Sequence, residues 1–285
     1  MKKKPIFFIS IFFIILFIFL NTSLWFPIRS YFVMFFYSRI QEEDSLLSKY
    51  DIDLKIPGGL STKKRDWYPF VMIFNDDLGF SEVLGRKAAL TILYNFGYFK
   101  LRDGSSVYYD PDSRYFSSFY GGYLVKNIDK SKTPFGFSSD GQINLEEISL
   151  VPRYDQEELV LSSLGCSRKD MRFDVSIDSI DYDISYINHG DWVKVDSTIL
   201  TNSPVHSFKE DHRAYIQYGK PIDRYYTGDD FPLITLKGRT YVKYLKEYDL
   251  SLFLYVLAPT MDAIEECDKN ILSKTILEKN KKLSY

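Results

Sequence analysis

Residues 6–20 are apolar without a polar face, broken only by Ser10, and they follow Lys2, Lys3 and Lys4. At about 1.5 Å per residue the run spans roughly 22 Å, and its continuation to Phe26 brings that to roughly 31 Å, enough to cross a bilayer core. Trp25 then falls where interfacial aromatics gather. Six phenylalanines lie in these fifteen residues, so a buried core helix would need protein on every side. The pattern predicts an uncleaved transmembrane signal anchor over residues 5–28 behind a basic cytoplasmic tail, residues 1–4. A short basic tail stays inside, which places the rest of the chain outside. The alternative is a cleaved secretory signal and a secreted product. A cut needs small residues three and one before it, and no Ala-x-Ala pattern stands near residues 21–23.

A second apolar stretch, residues 31–37, is too short for another span. It reads either as an interfacial helix lying on the membrane or as the first core helix. Residues 29–56 form a juxtamembrane helical segment in this reading. The Pro57-Gly58-Gly59 break then opens the extracytoplasmic body, residues 57–285.

Within that body, residues 68–74 read as a strand and Asp76-Asp77-Leu78-Gly79 as a turn. Residues 88–96 form a second apolar run, which periodicity cannot assign to helix or strand. Residues 107–109 and 115–125 read as strands around a turn at 110–113. Residues 154–164 suggest a short helix closed by Gly165. The clearest alternation lies in residues 172–186. Phe173, Val175, Ile177, Ile180, Tyr182, Ile184 and Tyr186 form one face, and the three-residue step from Ile177 to Ile180 calls for a bulge. Asn188-His189-Gly190-Asp191 supplies hairpin-turn chemistry, and Trp192, Val193 and Val195 begin the return strand. Residues 231–236 and 240–244 pair around Lys237-Gly238-Arg239. Residues 250–257 make a central strand. A final helix covers residues 261–279, with acids first and lysines last, as the helix dipole favours. The fold expected is α+β: an anchor helix, then one β-rich, mainly antiparallel domain with a C-terminal helix.

Composition supports the β-rich body, because aromatics reach 17% through 23 Tyr and 23 Phe, residue types that suit half-buried pleated surfaces. The net charge of −2 argues against nucleic acid as a partner. Two cysteines, Cys166 and Cys267, exclude a disulfide-dense scaffold and leave one pairing open. Phosphate-binding, dinucleotide, zinc-peptidase, serine-hydrolase and Cys-x-x-Cys motifs are absent, so no cofactor and no catalytic residue is assigned.

Three constellations carry candidate chemistry. Asp178, Asp181 and Asp183 could gather carboxylate oxygens for a hard cation, but alternation makes them a solvated sheet face that discourages edge pairing, so no metal is assigned. His189, His206 and His212, with Asp191 nearby, could supply an acid–base or ligand pair only by converging. The pairs Asp76/Asp77, Asp110/Asp112 and Asp229/Asp230 could serve glycoside hydrolysis, although adjacent Asp residues commonly make turns. The reading is a single-pass anchored protein, bound to the lipid bilayer through residues 5–28. Its outer domain has a binding or structural role toward a surface or envelope partner. The alternative is an exported hydrolase of envelope polysaccharide or peptide.

Overall fold

The computed structural model describes residues 4–21, 25–58, 71–97, 99–100, 105–130, 132–207 and 226–279. Helices α1 (Lys4–Asn21), α2 (Trp25–Glu43) and α3 (Leu46–Lys49) lead into β1 (Ile52–Lys55), β2 (Met72–Asn75), α4 (Asp77–Leu84) and β3 (Ala88–Phe96). Two short strands, β4 (Phe99–Lys100) and β5 (Ser105–Ser106), precede β6 (Phe119–Asn127) and α5 (Leu145–Tyr154), which runs on as a π-helical turn, Asp155–Leu161. The long hairpin β7 (Phe173–Tyr186) and β8 (His189–Asn202) is followed by β9 (Leu233–Leu245), β10 (Leu250–Ala258), α6 (Met261–Asn270) and β11 (Ile276–Lys279).

Seven strands form one antiparallel sheet in the order β2-β3-β6-β10-β9-β8-β7, and β1 pairs with β11 in a separate ribbon. The sheet separates two cores. Phe253, Tyr255 and Leu257 of β10 enter the first, with Phe80 of α4 and Ile148 and Val151 of α5. Leu250, Leu252, Leu254, Val256 and Ala258 enter the second, with Leu46, Ile52, Ile264 and Cys267. Every residue of β10 is therefore buried. That is why this segment is apolar without alternation, as strands covered on both faces are, and it lies at the centre of the sheet as expected. Residues 88–96, open between helix and strand from the sequence, form β3 for the same reason.

The bulge falls where the spacing placed it, with a register shift between Ile177 and Ser179. Gly165 closes its helix at φ +86°, and the turn at 110–113 is present through Ser113 N–H to the Asp110 carbonyl.

Other expectations are corrected. Asp76–Gly79 is a helix start: Asp76 caps α4 by accepting from Gly79 N–H at 3.2 Å, the role for which a short acidic side chain is suited. Residues 107–109 form a 3₁₀ turn, and the strand begins only at Phe119. Residues 231–245 hold one strand. Gly238 sits inside it because a Cβ there would lie 2.8 Å from Ser197 Oγ and 3.0 Å from Ile199 Cδ1. The hairpin turns at Ile187 and Asn188, both at positive φ, and His189 and Gly190 already belong to β8. The terminal helix ends at Asn270, and residues 276–279 pair with β1, so strand pairing outweighs the lysines' preference for a helix C-terminus. Residues 29–56 accordingly contribute two helices and a strand that joins the body.

Tyr182 does not face the core. Phe173, Val175, Ile177 and Ile180 pack on the first core, and Ile184 and Tyr186 pack on the second. A second register shift between Asp181 and Ile184, with Asp183 at φ +54°, carries the strand across faces and leaves Tyr182 exposed. Lys63, Lys64, Arg65 and Asp66, a charged stretch that the sequence suggests is solvated, lie outside the described residues.

The described side chains of α1 are residues 8–18, nearly all exposed and apolar. Among the described residues no helix is long and apolar enough to cross a membrane.

Candidate functional site

An open groove of about 1240 Å³ lies where the β7–β8 turn, the β9–β10 turn and the β1–β11 ribbon meet. Asp183, His189, Asp191, Lys243 and Tyr244 line it, with Tyr182 exposed at its wall. The two-residue turn sets His189 directly on β8, and its Nε2 lies 3.1 Å from the Leu277 carbonyl oxygen. A carbonyl only accepts, so Nε2 carries the proton. The ring thereby ties the hairpin tip to β11. Lys243 Nζ donates to the Gly190 carbonyl at 2.5 Å and stands 4.0 Å from the exposed Asp191 carboxylate.

Of the residues singled out from the sequence, the groove gathers Asp183, His189 and Asp191 and leaves the others apart. Asp178 accepts from Thr198 Oγ1 at 2.8 Å and from Lys237 Nζ at 3.2 Å, and these bonds hold its carboxyl below the usual range. Asp181 pairs with Lys194 at 2.6 Å. Each is committed to its own cross-strand cation. Among the described residues no group of three His, Cys, Asp or Glu could hold a metal ion. His206 is buried, 3.1 Å from the Pro204 carbonyl through Nδ1 and stacked on Phe231. His212 lies outside the described residues. Asp77 accepts from Leu90 N–H at 2.7 Å, Asp110 from Asp112 N–H at 3.1 Å, and Asp230 from the Ser207 hydroxyl at 2.7 Å, so these acids tie α4 to β3, close a turn and join two loops. Cys166 and Cys267 are both free and buried. Burial, with Asp170 nearby, pushes the Cys166 thiol up to about 11.

Two polar centres escaped the sequence reading. In the first core, Asp155 opens the π-helical turn and accepts from the phenols of Tyr123 and Tyr255. Burial drives its carboxyl well above the usual range, against the lowering effect of the Tyr123 bond. The next phenol, Tyr154, donates to Asp76, and burial followed by that bond raises it. Ile148, Val151 and Asp155 keep helical spacing, so an acid on an apolar stripe was the available signal. In the second core, Asp268 accepts from Tyr186 at 2.6 Å, Tyr241 at 2.5 Å and Arg239 at 3.2 Å. Arg239 also grips Asp196 with two nitrogens at 2.7 and 3.1 Å. Tyr186 and Tyr241 stack 3.8 Å apart, and burial, then Asp268, raises both phenols. This centre fixes α6 to the hairpin. Neither centre lines the groove.

Compared with known proteins, the chain matches no family model, no curated protein and no solved structure.

Proposed function

We propose that this is a single-pass membrane protein, anchored through residues 5–28, whose outward α+β domain binds a surface or envelope partner through the groove. The observation that carries the reading is the contrast between α1 and the body. Phe8, Phe12, Phe13 and Phe17 of α1 are exposed, while the sheet is covered on both faces by the chain's own helices and ribbon. A contiguous apolar surface of this kind marks a membrane or partner contact, and an apolar helix preceded by three lysines suits a lipid core with the amino terminus inside. A binding role rather than catalysis follows from the groove: it is wide, and its histidine is committed to a backbone carbonyl.

Fractionation of cells expressing the full chain tests the anchor. The protein should stay in the membrane pellet after an alkaline carbonate wash, and deletion of residues 5–28 should release it. A soluble product beginning near residue 23 would show instead that the segment is a cleaved signal.

A further inference from the structure

Helix α2 turns polar side chains toward the sheet and leaves large apolar ones outward. Its inward positions, 34, 38 and 41, share one face, and two of the three are polar. Met34 is buried, Ser38 Oγ accepts from Ile73 N–H at 3.0 Å, and Gln41 Oε1 accepts from Asn75 N–H at 3.1 Å. The Gln41 carbonyl also accepts from Asn75 Nδ2 at 2.9 Å. These bonds cap the outer edge of β2, the first strand of the sheet, so its outward amides meet a helix instead of another chain. The outward positions before Glu42 carry large apolar residues, with Phe32 57%, Phe36 58% and Ile40 65% exposed, and Arg39 among them. Phe32 and Phe36 stack 6.3 Å apart, and the Arg39 guanidinium lies 5.3 Å above the Phe35 ring. A helix on a water-facing surface places these two sets the other way round.

We infer that the outward face of α2 rests in the membrane–water interface and fixes the domain with its β2 edge toward the bilayer. This rests on the anchor reading. Four Cα–Cα steps join Asn21 of α1 to Trp25 of α2, a reach of roughly 14 Å, so an α1 in lipid holds the start of α2 at the membrane surface. Among the described side chains of α2 the large exposed residues from Phe32 to Ile40 are apolar or aromatic, with Arg39 the one charge among them. Glu42, Glu43 and Asp44 then follow, all exposed, which returns the chain to water. Arg39 suits the same depth, since its guanidinium is held over the Phe35 ring at the level where anionic headgroups lie. The opposite edge strand, β7, is six strand spacings away, roughly 29 Å. The hairpin and its groove would then face away from the membrane.

Site-directed fluorescence on the full chain tests the placement. Both native cysteines are buried, so a cysteine introduced by Phe36→Cys, Ile40→Cys or Ser176→Cys takes an environment-sensitive dye selectively. Each labelled protein is reconstituted into phosphatidylcholine–phosphatidylglycerol vesicles with and without nitroxide-bearing lipid. More than half the emission at positions 36 and 40 should be lost to the nitroxide, while position 176, exposed on β7, keeps its own. Protein that stays with the vesicles but shows no quenching at 36 and 40 overturns this inference and leaves the anchor standing. Protein that does not stay with the vesicles overturns both. Emission that falls with the fraction of labelled chains, and not with nitroxide lipid, assigns the face to a second copy and overturns the bilayer contact.

Discussion

Burial pushes the Asp155 carboxyl above its ordinary value more strongly than the Tyr123 phenol lowers it. A carboxyl whose folded value lies above its unfolded one keeps a proton that the unfolded chain releases. Its share of stability is therefore complete below the ordinary value of 3.8 and is lost as pH rises through the folded value. Denaturant midpoints of the native protein should fall relative to Asp155→Asn as pH goes from acid to neutral. A constant difference between the two would mean that Asp155 is ionised in the fold. Tyr255→Phe removes one donor from the buried carboxyl and should cost about 1–3 kcal/mol at neutral pH. The two thiols extend the same argument. Both are buried, and burial raises both. Iodoacetamide should alkylate neither until the protein is unfolded, and rapid native labelling of Cys166 would show that its site opens.

At the scale of elements, the β7–β8 hairpin shows where alternation stops being a guide. The sequence places Tyr182 with Phe173 on one inward face, and the first bulge keeps that promise. The second register shift cannot be read from apolar spacing, because Tyr182 and Ile184 continue an unbroken period of two across it. It is set by pairing with β8 and by Asp183 in the left-handed region, which Asp tolerates better than most residues. Phe173→Ala should therefore cost about 3–5 kcal/mol, and Tyr182→Ala should lie within about 0.5 kcal/mol of the native protein. Comparable losses in chemical denaturation would contradict the face switch. The same limit explains residues 276–279. Their lysine-rich end reads as a helix terminus because the β1 partner lies more than two hundred residues earlier. Local chemistry was reliable where the cause was local, as with Gly165 and the Asp110 turn. On α2, Gln41→Ala should speed exchange of the Asn75 amide without moving that of Phe253 in β10, since only the edge loses an acceptor.

At the scale of the whole molecule, the groove was not legible as a site. Its walls come from Ile52, the 133–142 loop, the hairpin tip, the 243–248 turn and β11, segments that no spacing rule connects. The candidate residues in it, Asp183, His189 and Asp191, were visible only as hairpin-tip polarity. What the sequence showed most directly was β10, and that strand dictates how the body unfolds. Phe253 belongs to the first core and Leu254, its neighbour, to the second, each fully buried. Neither core can lose β10 without breaking the other, so the body should melt as one cooperative unit. Phe253→Ala and Leu254→Ala should each cost about 2–5 kcal/mol. Trp192 packs in the second core and reports it by fluorescence once Trp25 and Trp67 are replaced by Phe; far-ultraviolet dichroism reports the whole sheet. For the full chain in detergent, the two signals should share one midpoint in the tryptophan-reduced parent, and both should shift together in either variant. A Trp192 transition that stays in place while dichroism moves in Phe253→Ala would show that the two faces of the sheet unfold separately.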